Sequence, residues 1–362
     1  MQKLPEGKKR NANMELLRLV AMMMVTMLHA LGKSGSLHPI NSALPLNGWV
    51  AWALETLSVC AVDVFMLLSG YFMIHSKFKL RRLLELVLQT LFYSLVPLGI
   101  FICMGLVPRE ELDVYHILQY CLPIHMEVFW FITAYVVLYM VSPILSEGIN
   151  AMEEKPLRCV ILCLLVYECV FKSVLPMKLV TDTEGYHFLW YLIMFLIGAY
   201  FRRFGFKLLT STSRGVVVYL LGCALIFMET CVVYWINAKF GRLNDLLMVS
   251  YHYNQIFVIL SSVGIFTAFL HAKPIEGRLG RAICLISPYA LGVYLLQENL
   301  QLRFTWQGWF GLHAESLSEP MAVFLLRLLL AVVSMFVFGI IVDAIRAKVF
   351  QGIAMIWGRR KE

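Results

Sequence analysis

The chain has 362 residues, 60% of them hydrophobic and 15% charged, with 31 Lys and Arg against 23 Asp and Glu and a formal net charge of +8. Soluble domains carry about a quarter charged residues, so this composition excludes an ordinary water-soluble enzyme and indicates an all-α, polytopic integral membrane protein. The excess of basic residues sorts by topology, as shown below, and leaves no case for nucleic acid as a partner.

The first apolar run, about 14–33, contains NMELLRLVAMMMVTMLHALG (13–32), yet it carries Glu15, Arg18 and His29. Eleven helical steps from Arg18 to His29 return to within about 20° of the same face and advance about 16 Å. Glu15 precedes Arg18 by one turn and lies within about 60° of it. The three make a polar stripe on an otherwise apolar helix, and such a stripe belongs against protein or a water-filled cavity. A basic flank and small residues near Ala30 and Gly32 also suggest a cleaved signal peptide. Arg18 interrupts the apolar core that such a peptide needs, and nine further runs follow, so the segment is read as a retained span.

The second run, about 47–74, is longer than a bilayer requires, so it is tilted, bent or extends beyond the lipid. It carries Asp63, Ser69 and Tyr71 and leads into the basic turn Lys77, Lys79, Arg81 and Arg82. Further runs follow at about 83–107, 126–146, 158–177, 187–203, 215–237, 253–271, 282–300 and 320–345. The expectation is a single domain over 1–362 with about ten transmembrane helices. Counting Lys and Arg in the connections gives 22 on the side of the termini and 7 on the other. The positive-inside rule then places both termini in the cytoplasm. The nine cysteines sit mostly inside apolar runs and read as small hydrophobes; no CxxC or His/Cys cluster has metal spacing, so no metal is expected. LLSGYF (67–72) and LIGAYF (196–201) echo one another, each ahead of a basic turn. Interfacial tyrosine beside basic residues accounts for that echo.

Several stretches together resemble a known family. Arg18–ten residues–His29, in the frame N-x-E-L-L-R-L-V-A-M…L-H, is similar to the first-helix signature of the membrane-bound acyltransferase-3 family. AVDVFMLLSGYFM (61–73), KFKLRRLLEL (77–86), VFWFITAYVVLYMVSPIL (128–145), WYLIMFLIGAYFRR (190–203) and SPYALGVYLLQENLQLR (287–303) follow in register across nearly the whole chain. The likeness is greatest to the branch common in Gram-positive bacteria. The resemblance implies O-acylation, usually O-acetylation, of cell-surface glycans or related envelope molecules, with acetyl-CoA or another short acyl-CoA as donor, in the plasma membrane. It also implies that His29 and Arg18 are needed for activity. In one respect the chain departs from the family: Gln297 stands where a histidine is common.

Depth along the runs gives these residues a chemistry. Arg18 lies about 8 Å and His29 about 24 Å from the Asn13 end. Tyr294 and Gln297 lie about 18 and 22 Å into the ninth run, and Glu127 and Trp130 open the fourth from the far side, so both groups approach the level of His29. His29, Glu127, Gln297, Glu298 and Asn299 can therefore line one outer cavity, with Trp130, Tyr294 and Arg303 supporting it. A neutral histidine there can take the proton of a sugar hydroxyl attacking a thioester. A carboxylate must orient it, and Asp63, Glu127 and Glu298 remain open for that role. The turn Lys77, Lys79, Arg81 and Arg82 can hold CoA phosphates at the inner surface, with Ser69 and Tyr71 on the same donor side and Arg18 along the path.

Plainer roles stand beside each of these. His29 can be a helix–helix hydrogen-bond partner, and Arg18 can pair with Glu15 or Asp63. The basic turn can serve topology alone, and Ser69 and Tyr71 can be packing and interface residues. Trp130, Trp306 and Trp309 can be interface residues or stack on sugars, and Arg327 suits a structural ion pair. A transporter or flippase is the alternative function, but the paired broken helices of inverted repeats are not seen and no catalytic domain follows residue 346. A purely structural or sensory membrane protein would leave the Arg18–His29 stripe unexplained. The orientation is testable directly. An epitope tag at residue 36 should be reached by antibody on intact cells and one at residue 78 should not; the reverse pattern would invert the assignment of donor and acceptor sides.

Overall fold

The computed structural model describes residues 10–37, 44–108, 110, 112–174, 183–241 and 248–359. Lys3, Lys8, Lys9, Arg109, Lys178, Arg242, Arg360 and Lys361 of the topology count lie outside the described residues, as does the end of the run expected to reach 177.

Helix α1 (Ala12–Lys33) starts at Asn11, whose side chain accepts the N–H groups of Asn13 and Met14 at 3.0 and 3.4 Å. Asn13 turns outward instead. Its Nδ2 donates to Ala272 O and Lys273 O at 2.8 and 3.1 Å, and its Oδ1 accepts from Ile275 N at 3.0 Å. These bonds fix the first turn of α1 against the segment ahead of α12, and with it the rotation of the polar stripe. The long second run is bent: α2 (Leu46–Ser58) and α3 (Ala61–Met73) are separate helices that form one apolar stretch of 28 residues. Then come α4 (Leu80–Cys103), the short α5 (Val114–Cys121) and α6 (Trp130–Ala151), with Pro97 and Pro143 inside α4 and α6. Helix α6 begins later than periodicity predicts, because the preceding segment is turns in which Glu127 takes φ 50°.

The run expected from 158 is α7 (Glu154–Leu165), a π-turn and α8 (Phe171–Val174). Helices α9 (Phe188–Phe204), α10 (Thr212–Phe240) and α11 (Ile256–Leu270) follow. The ninth expected run is α12 (Gly277–Ile286), a 3-10 turn and α13 (Ala290–Gln297), and the last is α14 (Met321–Arg359). No strand occurs among the described residues. Among the described residues, eight stretches are long and apolar enough to cross a membrane, against the ten expected. The two that fall short are α9, with 17 residues, and the π-interrupted run of α7 and α8.

Burial sorts the spans into a centre and a rim. The apolar windows of α1, α2–α3 and α11 are 61%, 67% and 61% buried, whereas those of α4, α10 and α14 are 28% buried. The exposed faces of the rim helices are hydrocarbon: Leu95 and Ile100, Val217 and Met228, Leu329 and Phe338. Such faces suit lipid, where the backbone is satisfied within each helix and apolar side chains need no protein cover.

The centre is closed by backbone contacts that only glycine permits. A Cβ at Gly70 would lie 2.0 Å from Phe195 O, and one at Gly198 would lie 2.2 Å from Leu67 O. LLSGYF and LIGAYF are thus the two sides of one α3–α9 crossing, which explains their echo better than interfacial tyrosines do. Gly215, Gly222 and Gly264 bring α10 and α11 together in the same way, with a built Cβ 2.4–2.7 Å from main-chain nitrogen. Gly70→Ala should therefore lower the thermal midpoint and folded yield in detergent by an overpacking cost of about 1–3 kcal/mol. Gly148→Ala, with nothing within 4 Å, should be neutral or slightly stabilising. Equal melting of the two variants would show that the α3–α9 crossing tolerates a wider spacing.

Candidate active site

A cavity of about 1390 Å³ runs through the centre, walled by α1, α3, α4, α6, α13 and α14. Arg18 and His29 both line it, so the polar stripe of α1 faces this space and not lipid. Its two ends differ in chemistry.

At one end His29 Nδ1 lies 3.1 Å from Glu298 Oε1, off the direction of a hydrogen bond. Lys33, one turn beyond His29 on α1, contacts the same oxygen. Glu298 follows α13 directly, and Gln307 Nε2 donates to His29 O at 3.2 Å, so the turns after α13 hold this end of α1. Tyr294 packs its ring 6.3 Å from the imidazole. The Tyr294 hydroxyl, both amide atoms of Gln297 and Nε and Nη2 of Arg303 are buried with no hydrogen-bond partner. The hydroxyl lies near the Phe131 main chain and the amide beside the His29 ring, each outside hydrogen-bond geometry. Arg303 is within electrostatic reach of His29, Lys33 and Glu298. Buried polar groups left unpaired cost about 1–3 kcal/mol each. Their concentration around one histidine is the arrangement of a site that awaits polar atoms of a ligand.

The remaining candidates for this end are placed elsewhere. Asp63 is fully buried and accepts from Trp190 Nε1 at 3.0 Å and Ser262 Oγ at 3.3 Å, which ties it to α9 and α11 rather than to His29 or Arg18. Glu127 sits in the turn before α6 and makes no contact with His29. Of the three carboxylates left open by the sequence, Glu298 alone meets the imidazole. Asn299 secures the turn, donating to Tyr93 O at 2.9 Å and accepting from Gln301 N at 3.0 Å. Trp130 lines the cavity, whereas Trp306 is fully buried and unavailable for stacking on a sugar. Arg327 pairs with Glu319 at 2.7 Å and donates to Gly311 O, as a structural ion pair would.

The other end is basic. Arg18 pairs with Glu15, which also accepts from Ser287 Oγ. Arg82 lines the cavity, and Arg82 and Arg18 are both within electrostatic reach of the Tyr135 hydroxyl. Arg81 also borders the cavity, but its side chain is 81% exposed and paired with Glu85 at 2.8 Å. Lys77 and Lys79 are not part of the wall; Lys79 caps α4, its main chain exchanging hydrogen bonds with the Tyr139 hydroxyl. Ser69 lines the cavity and donates to Phe65 O, while its Oγ lies 3.3 Å from the Tyr191 hydroxyl. Tyr71 faces away, its hydroxyl accepting from Arg202 and its ring 5.0 Å beneath that guanidinium.

Sequence reasoning missed Arg346, which it counted for topology alone. Arg346 lines the basic end and is gripped by Asp343 through two bonds of 2.7 and 3.1 Å, with its guanidinium 5.1 Å from the Phe350 ring. Asp343 is fully buried and also accepts from Gln89 Nε2 at 2.9 Å and the Tyr93 hydroxyl at 3.1 Å. The signal was present: an Asp and an Arg three residues apart in an apolar helix lie on one face, as do Glu15 and Arg18.

Comparison with known proteins adds one finding. No curated protein and no solved structure matches the chain. Residues 11–343 match the acyltransferase-3 family, described as an acyltransferase domain. That match spans the first turn of α1 through the buried Asp343 of α14, and the chain belongs to this family of membrane acyltransferases.

Proposed function

We propose that the protein moves a short acyl group, most simply acetyl, from cytoplasmic acyl-CoA to a hydroxyl of a cell-surface glycan or related envelope molecule. The observation that carries this reading is a single cavity with arginines at one end and a carboxylate-paired histidine at the other. On the orientation given by the positive-inside rule, the arginine end faces the cytoplasm and the His29 end the outer surface, with both termini inside the plasma membrane's cytoplasmic face.

Arg82 and Arg346 suit the phosphates of CoA, because guanidinium forks match phosphate oxygens and Asp343 holds Arg346 in place. Arg18, tied to Glu15 two turns into α1, borders the path from the basic end. At the far end Glu298 engages Nδ1 of His29, which leaves Nε2 as the base, and Lys33 supplies Glu298 with a countercharge. His29 takes the proton of the acceptor hydroxyl as its oxygen bonds to the thioester carbonyl carbon. The carbon–sulfur bond then breaks and the proton passes to the departing thiolate. The unpaired Tyr294 hydroxyl, Gln297 amide and Arg303 guanidinium are donors suited to the oxyanion that forms between these events.

His29→Ala should reduce acyl transfer by about 10²–10⁴-fold while the protein inserts and elutes normally. Near wild-type transfer by a well-folded variant would remove His29 from the base role.

The donor end makes a separate prediction. Arg82→Gln should raise the KM for acyl-CoA about tenfold and leave the acceptor KM unchanged, since a charge-assisted phosphate contact contributes about 1.5–3 kcal/mol. Arg81→Gln should change it less than about threefold, because an exposed pair is screened by solvent. An unmoved donor KM in Arg82→Gln would send the phosphates elsewhere, with Arg202, Arg203 and Lys207 next in line.

A further inference from the structure

The cavity wall continues past His29 as a set of aromatic rings. Trp130 and Tyr253, both in that wall, stack with centroids 6.0 Å apart and planes 19° apart. Tyr186 completes a triangle, 4.8 Å from Trp130 and 4.9 Å from Tyr253. It is 47% exposed, so the triangle reaches from the cavity to the surface of the molecule. The segment carrying Tyr186 is set by two consecutive left-handed residues, Glu184 at φ 62° and Gly185 at φ 84°. A Cβ at Gly185 would lie 2.7 Å from that of Tyr253, and Tyr253 N donates to Glu184 O at 3.2 Å. The loop is thus folded directly onto the stack.

Glu55 of α2 is within electrostatic reach of Tyr186, Tyr251 and Tyr253. Its Oε2 is buried with no hydrogen-bond partner. The neighbouring carboxylates are all engaged: Glu229 by Gln255, Glu298 by Lys33, Glu168 by His187 at 3.9 Å and Glu184 by His252 at 3.5 Å. A buried carboxylate oxygen left open among satisfied ones is unpaired for a reason outside the fold.

We infer that Trp130, Tyr186, Tyr253 and Glu55 form a subsite for an uncharged pyranose ring. The apolar C–H face of a pyranose fits aromatic faces, and a carboxylate accepts hydrogen bonds from hydroxyls on its rim. The surroundings disfavour ions of either sign. Lys33 and Glu298 neutralise one another in an ion pair, and an ionised sugar would lose its hydration beside the buried rings, a cost that an uncharged ring avoids. The inference rests on the acyl-transfer reading only in taking that sugar for the acceptor.

Saturation-transfer NMR on the full chain in detergent separates the two. The probe is methyl β-glucopyranoside, with glucosamine and glucuronate as charged comparisons. The neutral glucoside should bind in preference to both, and its ring protons should take up the saturation. Trp130→Ala should weaken it about tenfold and Glu55→Gln about fivefold, while Trp130→Phe, which keeps a ring, should lose less than about threefold. Preference for glucosamine or glucuronate would overturn the assignment. So would glucoside binding that is equal in wild type, Trp130→Ala and Glu55→Gln. The readout needs no acyl donor, so sugar binding without any transfer from acyl-CoA would sink the acyl-transfer reading and leave the subsite standing. Transfer whose acceptor KM ignores all three substitutions would do the reverse.

Discussion

Everything in this protein depends on housing one polar stripe inside an apolar helix. An arginine or a histidine in hydrocarbon is costly by several kcal/mol, and the cost falls only when the group meets a partner or water. The chain meets that constraint by enclosing α1, which is packed by α2, α3, α11, α12, α13 and α14. Arg18 is given Glu15, and His29 is given Glu298. The side of the stripe that no helix covers opens on the cavity. Asn13 is the small device on which the arrangement turns, because its three bonds to residues 272–275 fix how α1 is rotated about its axis.

Close packing and an open centre are consequences of each other here. Without a hydrophobic force to gather helices in lipid, backbones must approach closely to gain dispersion. Glycines at the α3–α9 and α10–α11 crossings allow it. The space is preserved where bulky or charged residues face inward, as with Arg18, Phe65, Tyr135 and Arg346 on four different helices. A passage that joins two chemically distinct ends can then persist inside a bundle whose crossings are tight.

Much of this was legible in the sequence, and the parts that were not share a cause. The periodicity of α1 and the length of the second run were readable because helical phase and bilayer thickness are local rules. Helix ends were less so: the turns before α6, the exact break between α2 and α3 and the π-turn after α7 interrupt runs that hydropathy alone reads as continuous. Pairing was the hardest. Depth left Asp63, Glu127 and Glu298 all open as partners of His29, because depth fixes only one of three coordinates. Asp63 turned to Trp190 and Ser262, and Glu298 turned to His29. The basic turn was undifferentiated for a related reason, since a positive-inside count values Lys77, Lys79, Arg81 and Arg82 equally. The fold does not: it leaves Arg81 in solvent and brings in Arg346 from a helix 264 positions later in the chain than Arg82.

The distribution of unsatisfied polar atoms gives the last step. A folded chain normally pairs its buried donors and acceptors, and each exception costs about 1–3 kcal/mol. Here the Asp343 cluster at the arginine end is fully paired, four side chains deep. The His29 end is the opposite, with Tyr294, Gln297 and Arg303 open together. A paired cluster holds a charge in place before any ligand arrives, which is what recognition of a fixed anion requires. An unpaired cluster has its bonds still to make, and a site that stabilises charge arising during a reaction must keep donors free until that moment. On the proposed acyl-transfer reading, the two ends of the cavity differ in hydrogen bonding as they do in charge: one positions the donor and the other keeps its own donors free for the reaction.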